Sequence, residues 1–485
     1  MLFNSFTFLI FFPVVVTIYF VIRHRFRWAW LLAASCYFYM AFIPVYILIL
    51  FFTIAIDYVA GILIENAEGR KRKLWLVTSI FANVGVLAVF KYFNFLSANA
   101  RAIAEVFHWP YDFPLLSIIL PIGLSFHTFQ AMSYTIEVYR RRQPAERHLG
   151  IYALYVMFFP QLVAGPIERP QNLLHQFREH HAFEYERVTS GLRQMAWGLF
   201  MKVVIADRLA RYVNAVYNDP QSFQGLTLVF ATIFFAFQIY CDFAGYSHMA
   251  IGAARVMGFR LMKNFDRPYL PRSISEFWSR WHISLSTWFR DYVYIPLGGN
   301  RTTKPRWYWN LFITFLLSGL WHGANWTFVI WGALNGFYLI FSLITAEVRS
   351  AFARAIGLAS RPTIRAAVSV AITFTLTCIA WVFFRASTLS DAMHVLQASI
   401  AMPRSAHLVP LILRDAGISK FEFVYCVFLI TALFAVELIS TRMDLVKRLR
   451  EQPVWIRWPI YYATCMAIWV LGISTEAKAF IYFQF

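Results

Sequence analysis

The sequence predicts an all-α membrane protein that crosses the bilayer many times. Of its 485 residues, 59% are hydrophobic and only 14% are charged, whereas soluble domains carry roughly 25% charged residues. The apolar residues are grouped in runs of roughly 17–25 residues, the length that a helix needs to cross ~30 Å of hydrocarbon. Basic clusters flank these runs, as they do in membrane proteins. We therefore expect one membrane-embedded domain over residues 1–485.

The apolar runs give the order of the predicted segments. They lie at Phe3–Ile22, Trp28–Phe42, Val45–Ile64, Leu74–Phe90, Leu115–Val138, Ile151–Ala164, Gly191–Ala206, Leu226–Phe243, Asn310–Ser342, Ala366–Phe384, Phe421–Ile439 and Val454–Ile473. The run from Asn310 to Ser342 is too long for one upright helix, and we expect it to divide around Gly319 and Gly323. The count becomes about 11–13 membrane helices and re-entrant segments.

The net charge of +19 has an explanation in membrane topology. Clusters at Arg25, at Arg70–Lys73 and at Arg140–Arg142 fall on one side of the membrane if the segments alternate. Because basic flanks mark the cytoplasmic side, the N-terminus is predicted to be extracytoplasmic. No basic surface interleaved with aromatic residues appears, so the lipid bilayer is the expected partner and nucleic acid is not.

His322 is the most informative polar residue, because an ionisable group inside an apolar run is costly and usually functional. Helical spacing would place Ser318 and Asn325 on the same face as His322. Two interpretations remain open from the residues alone. His322 is either a catalytic or pathway residue, or a histidine that hydrogen-bonds between helices.

Four other polar residues are candidates. His282 lies in the long basic loop Arg255–Arg306, where it either has a function or anchors a short interfacial helix. Asp242 is either a substrate-binding carboxylate or the buried partner of an arginine or a histidine. Arg280 and Arg290, in the same loop, either attract phosphate groups or serve membrane topology and anionic lipid.

The absence of several sequence motifs argues against several kinds of catalysis. The sequence has no GxSxG, no P-loop, no GxGxxG after a strand and no HExxH. His180-His181 has no cysteine or carboxylate at metal-ligand spacing, so no metal site is predicted. A buried histidine without a neighbouring nucleophile suits general base catalysis, with a substrate hydroxyl as the attacking group.

A set of motifs resembles the bacterial membrane-bound O-acyltransferases, most of all their alginate O-acetylase branch. The motifs cover nearly the whole chain in order: LVAGPI from Leu162, DFAGYS from Asp242, SEFWSRWHISLSTWFRDY from Ser275, PLGGNR from Pro296, GLWHGA from Gly319, WVFFRA from Trp381 and the closing FIYFQF from Phe480.

The resemblance implies a helical bundle with a thinned centre, where a cytoplasmic tunnel meets an outward-facing cavity. It puts His322 at the position of the family's invariant buried histidine and His282 at that of its second histidine. The implied reaction takes acetyl from cytoplasmic acetyl-CoA, with no permanently bound cofactor, to a hydroxyl on the far side of the bacterial inner membrane. Trp321 or Asn325 would orient the imidazole or stabilise the oxyanion.

The resemblance also implies partners. An extracytoplasmic protein of a polysaccharide synthesis complex would receive acetyl for a polymer such as alginate or cellulose. Related branches acetylate peptidoglycan or transfer D-alanine toward teichoic acid. A different class, a non-catalytic transporter or assembly subunit, is the remaining alternative, although the sequence shows no inverted halves with paired broken segments.

Overall fold

The structure is a computed structural model and describes residues 1–111, 115–117, 120–400, 417–472 and 480–481. Within those residues every regular element is a helix. The α-helices up to residue 400 are α1 Phe6–Val21, α2 His24–Met40, α3 Ile47–Asn66, α4 Gly69–Leu87, α5 Phe93–Val106, α6 Leu124–Tyr139, α7 Leu149–Met157, α8 Pro170–Leu173, α9 Tyr185–Phe200, α10 Asp207–Tyr217, α11 Leu226–Met257, α12 Ile274–Arg280, α13 Ile283–Phe289, α14 Lys304–His322, α15 Trp326–Ile344, α16 Ala346–Ala355, α17 Pro362–Arg385 and α18 Leu389–Ala398. Three more follow at Lys420–Ile439, Leu445–Arg450 and Val454–Leu471.

Seven helical stretches within the described residues are long and apolar enough to cross a membrane. They are Pro44–Asn66, Gly69–Val106, Leu226–Met257, Trp326–Ile344, Pro362–Arg385, Lys420–Ile439 and Val454–Leu471, and Phe6–Val21 is a shorter apolar helix. The protein is therefore a multi-pass membrane protein, as its composition predicts. Other predicted runs also form helices, but these are short, such as the nine residues of α7, or carry charges, such as α14. Length and composition alone thus account for fewer crossings than the 11–13 segments of the sequence prediction.

The described residues divide into two compact units. The first contains Met1–Met195 and Tyr246–Lys263, and the second contains Ala196–Gly245 and Asn264–Ile481. The single domain over residues 1–485 stays a prediction. The motifs that carry both candidate histidines lie in the second unit.

In the first unit, α3, α4 and α6 pack against one another around a buried carboxylate. The Ser79 hydroxyl donates to Asp57 at 2.6 Å, and the Asn83 amide donates to both Asp57 oxygens at 2.9 Å. A buried polar group is costly unless it is hydrogen-bonded, and this cluster meets that requirement within the helix packing.

In the second unit, α14 and α15 form a tight helical pair that positions His322. A Cβ on Gly319 would collide with the Phe328 carbonyl oxygen and lie 3.0 Å from the Gly332 Cα. Small residues allow such close backbone approach between membrane helices. The division expected within Asn310–Ser342 is confirmed at Gly323, which is extended with φ −166° and ends α14. Gly319 instead stays inside α14 and serves packing.

Candidate active site

His322 is the last residue of α14, where the helix stops inside the apolar part of the unit. It is only 4% exposed. Its imidazole packs edge-on against three aromatic rings, with centroid distances of 4.8 Å to Trp321, 4.9 Å to Trp331 and 5.2 Å to Phe384. The helix end therefore presents an imidazole within an aromatic enclosure.

His282 lies in the junction between two of the short helices expected in the basic loop, α12 and α13. Its backbone is left-handed, with φ 41° and ψ 55°, a conformation that few residues other than glycine adopt. Non-glycine residues in this region often occur at functional sites, where the surrounding structure holds them. His282 is completely buried, and its ring lies 4.6 Å from the Phe243 ring.

The environment of His282 favours a neutral imidazole. Its Nδ1 lies 3.1 Å from the Asn264 side-chain oxygen, and the centroid of the Phe265 ring lies 6.4 Å from that of the imidazole. Burial lowers the pKa of His282 to about 3, because desolvation penalises the charged form. At neutral pH the His282 imidazole is therefore uncharged.

Trp321 connects the two histidines. Its indole ring lies 4.8 Å from the His322 ring and 6.2 Å from the His282 ring. Three candidates that are separated by up to 40 positions in sequence thus meet at one place in the fold. Two imidazoles beside one indole, shielded by aromatic rings, form a site that can move protons without exposing a reaction to water.

Comparison with known proteins decides what class of protein carries this site. The sequence profile of the MBOAT, membrane-bound O-acyltransferase family, matches residues 143–384, which include both histidines. The probable alginate O-acetylase of Pseudomonas aeruginosa is 42% identical over 82% of this chain and 74% of its own length.

The chain belongs to the membrane-bound O-acyltransferase family. The resemblance drawn from its motifs is confirmed, and the protein is an acyltransferase. Two further relatives are the probable alginate O-acetylase of Pseudomonas putida, 41% identical over 81% of this chain and 79% of its own length, and the peptidoglycan O-acetyltransferase of Helicobacter pylori, 35% identical over 77% and 73%.

In this acyltransferase, Asn325 does not share a helical face with His322, so that sequence expectation is wrong. The helix ends at His322, and Asn325 is the N-cap of α15 with an extended backbone. Its side-chain oxygen accepts from Thr327 N–H at 3.0 Å, and its amide donates to the Ser387 carbonyl at 3.2 Å. Both ends of the amide therefore bind backbone groups in this structure.

Asp242 is a buried carboxylate with a basic partner, but that partner is a lysine and not the arginine or histidine of the sequence interpretation. It forms an ion pair with Lys202, whose Nζ also lies 3.0 Å from Asp207 Oδ1. The second carboxylate oxygen accepts from Ile481 N–H at 2.7 Å. Lys202 and both aspartates are almost completely buried, so the lysine cation offsets part of the buried negative charge.

Arg280 and Arg290 form local ion pairs in the acyltransferase loop. Arg280 contacts Glu276 at 2.5 Å, one turn earlier in α12. Arg290 contacts the adjacent Asp291 at 2.8 Å, and its side chain is 58% exposed. Their role in binding an anionic donor stays a prediction.

Three residues of the candidate site were not predicted from the sequence. Trp331 and Phe384 belong to apolar runs, where an aromatic residue at a catalytic site has the same pattern as one that packs. Asn264 precedes the short helices by ten residues, and only its position within the basic loop was a signal. The closing motif is described at Phe480 and Ile481, and its remaining residues, 482–485, lie outside the described residues.

Proposed function

We propose that this acyltransferase transfers acetyl from cytoplasmic acetyl-CoA to a hydroxyl group that serves O-acetylation of an extracytoplasmic exopolysaccharide of the alginate or cellulose type. The names of its relatives in two Pseudomonas species support the polymer class, at 41–42% identity. The enzyme would act in the bacterial inner membrane and pass acetyl to a partner protein of the polysaccharide synthesis complex.

The chemistry requires one base. His322 takes the proton of the acceptor hydroxyl as its oxygen attacks the thioester carbonyl carbon. The C–O bond forms, the C–S bond breaks, and His322 returns the proton to the departing sulfur, so that acetyl ester and free coenzyme A thiol result. No protein nucleophile is needed.

The observation that carries the proposal is the imidazole of His322 at a helix end, enclosed by Trp321, Trp331 and Phe384. An aromatic enclosure excludes water, which would otherwise compete with the acceptor hydroxyl for the thioester. The Trp321 ring lies beside both histidine rings, at centroid distances of 6.2 Å from His282 and 4.8 Å from His322.

The test of the reaction compares two histidine variants in cells that make the polysaccharide. His322→Ala is expected to abolish acetyl esters on the secreted polymer while the protein remains in the membrane at its normal level. His394→Ala is the matched control, because His394 is bound to the Phe223 carbonyl at 3.1 Å in another part of the unit. Normal acetylation in the His322→Ala strain would remove the catalytic assignment.

Labelled acetyl-CoA distinguishes the acceptors. Membranes supplied with the label should transfer it to the exopolysaccharide. The peptidoglycan O-acetyltransferase of Helicobacter pylori supports a second candidate acceptor, since it is 35% identical to this chain. Label that accumulates in peptidoglycan would favour that candidate, and no transfer from acetyl-CoA would reject the proposed donor.

The proposed orientation places the N-terminus outside and the clusters at Arg25 and Arg70–Lys73 in the cytoplasm, because basic flanks remain on that side. A protease-cleavable tag before Met1 should be removed from intact spheroplasts. Cleavage only after the membrane is opened would reverse the orientation.

A further inference from the structure

Asn264 holds the segment around His282 through four hydrogen bonds. Its backbone carbonyl accepts from Ile283 N–H at 2.9 Å. Its side-chain oxygen accepts from Ser284 N–H at 3.2 Å and from the Ser284 hydroxyl at 2.9 Å, and it lies 3.1 Å from His282 Nδ1. Asn264 is only 1% exposed, so the cluster is inside the protein.

These contacts determine the direction of the hydrogen bond to His282. The Ser284 backbone N–H can only donate, so the Asn264 atom that it contacts must be the amide oxygen rather than the amide nitrogen. An amide oxygen only accepts, and therefore His282 Nδ1 must carry a proton and donate it. In a neutral imidazole the lone pair is then on Nε2.

The hydrogen bonds between Asn264 and the backbone hold its side chain in place without any contribution from the imidazole. Asn264 binds the two residues that begin α13, Ile283 and Ser284, next to the left-handed backbone of His282. The His282 ring lies 4.6 Å from the Phe243 ring, 6.4 Å from the Phe265 ring and 6.2 Å from the Trp321 ring. The aromatic contacts therefore position the imidazole, and the Asn264 side-chain oxygen determines which ring nitrogen carries the proton.

We propose that Asn264 is a positioning residue that fixes His282 with its proton on Nδ1, so that Nε2 accepts a proton or a hydrogen bond during acyl transfer. The inference rests on the proposed function and assigns His282 the second basic nitrogen of the site. Hydrogen bonds that fix a histidine tautomer are common where imidazole acts as a base or ligand. Loss of comparable partners at metal-ligating histidines costs 10–100-fold.

The direct test is nitrogen NMR of the full chain, labelled with 15N-histidine and held in detergent micelles at neutral pH. The His282 signals are identified by their loss in His282→Gln. The wild-type protein is expected to show a proton on Nδ1 only. Asn264→Ala should lose this fixed tautomer, and kcat for transfer of label from acetyl-CoA to the polysaccharide should fall about 10–100-fold with little change in KM.

Two variants separate positioning from a merely structural role. Asn264→Asp keeps an oxygen acceptor and should retain the Nδ1 proton and recover most of kcat. A carboxylate raises the pKa of an adjacent histidine by about 1–3 units, which leaves His282 neutral at pH 7 because its pKa starts at about 3. Ser286→Ala is the matched control, since its hydroxyl binds the Trp281 carbonyl at 3.1 Å in the same segment; it should change neither readout.

The outcomes distinguish this inference from the proposed function. If Asn264→Ala keeps both the wild-type tautomer and the wild-type kcat, Asn264 is not a positioning residue, even where His322→Ala abolishes transfer. If its kcat falls but the tautomer remains, the residue acts structurally and the inference is also overturned. Full transfer by His322→Ala would reject the proposed function whatever the tautomer of His282.

Discussion

Two buried polar sites in the second unit are stabilised in different ways. At one, Lys202 is paired with Asp207 and Asp242, and the Ile481 N–H binds the same Asp242. At the other, His282 and His322 lie against Trp321 with aromatic rings around them. The first site contains three formal charges, whereas the second contains groups that can be neutral.

This difference indicates which buried polar residues are candidates for catalysis. A charged group in a low-dielectric interior needs opposite charges and hydrogen bonds, and a group bound in this way is not available to a substrate. A neutral imidazole can be enclosed by aromatic rings at smaller cost and still accept a proton. We therefore propose that the Lys202 cluster serves folding and that the two histidines serve catalysis.

Alanine variants at the two sites separate a role in folding from a role in catalysis, and they should give the largest effects. Asp242→Ala leaves Lys202 paired with Asp207 alone and removes the acceptor of the Ile481 N–H. It should destabilise the protein by about 1–3 kcal/mol, the usual cost of a buried polar group that loses its partner. His322→Ala should lower acyl transfer about 10²–10⁴-fold, a loss much larger than its change in melting temperature in detergent accounts for. Thermal melting and transfer rates of both variants measure this. Unfolding of His322→Ala together with a stable, inactive Asp242→Ala would reverse the assignment.

A smaller effect tests how the α14–α15 pair holds His322. Gly319→Ala places a Cβ against the Phe328 carbonyl oxygen and Gly332, so the two helices must separate. We expect a loss of about 1–3 kcal/mol, as for other overpacked positions, with a lower transfer rate. Gly85→Ala is the control, because a Cβ there meets nothing within 4 Å and alanine favours a helix. Equal melting temperatures for both variants would contradict the close packing.

Asn325 offers a test of a residue that the sequence placed at the active site and the structure places at a helix cap. Asn325→Ala should cost about 0.5–2 kcal/mol through loss of the cap to Thr327 N–H. Asn325→Asp retains the accepting oxygen and should restore stability and transfer. If Asn325→Ala lowers the transfer rate without loss of stability and Asn325→Asp does not restore that rate, Asn325 instead binds substrate.

The smallest expected effect concerns the exposed arginine of the basic loop. Arg290→Gln should change stability by less than about 0.5 kcal/mol, since its ion pair with Asp291 is exposed. If the loop attracts the phosphates of coenzyme A, KM for acetyl-CoA should rise a few-fold at low salt and less at high salt. A KM that is unchanged at every salt concentration would restrict Arg290 to membrane topology.

Sequence reasoning predicted the features that depend on apolar length and on glycine. The break at Gly323 followed from a run too long for one helix, and the resemblance located His322 and His282. The spacing of Asn325 was misleading because it assumed a continuous helix past that break. The partner of Asp242 lies 40 residues earlier at Lys202, and periodicity along one helix carries no information on such contacts. Asn264 was missed for the same reason.

The central claim is that His322 is the base of acyl transfer. The most direct measurement is the single-turnover rate of transfer from labelled acetyl-CoA by membranes that contain equal amounts of wild-type or His322→Ala protein, with His394→Ala as control. We predict a rate about 10²–10⁴-fold lower for His322→Ala and an unchanged rate for His394→Ala. A His322→Ala rate within a factor of about two of wild type would exclude His322 as the general base, because general base catalysis contributes far more than that.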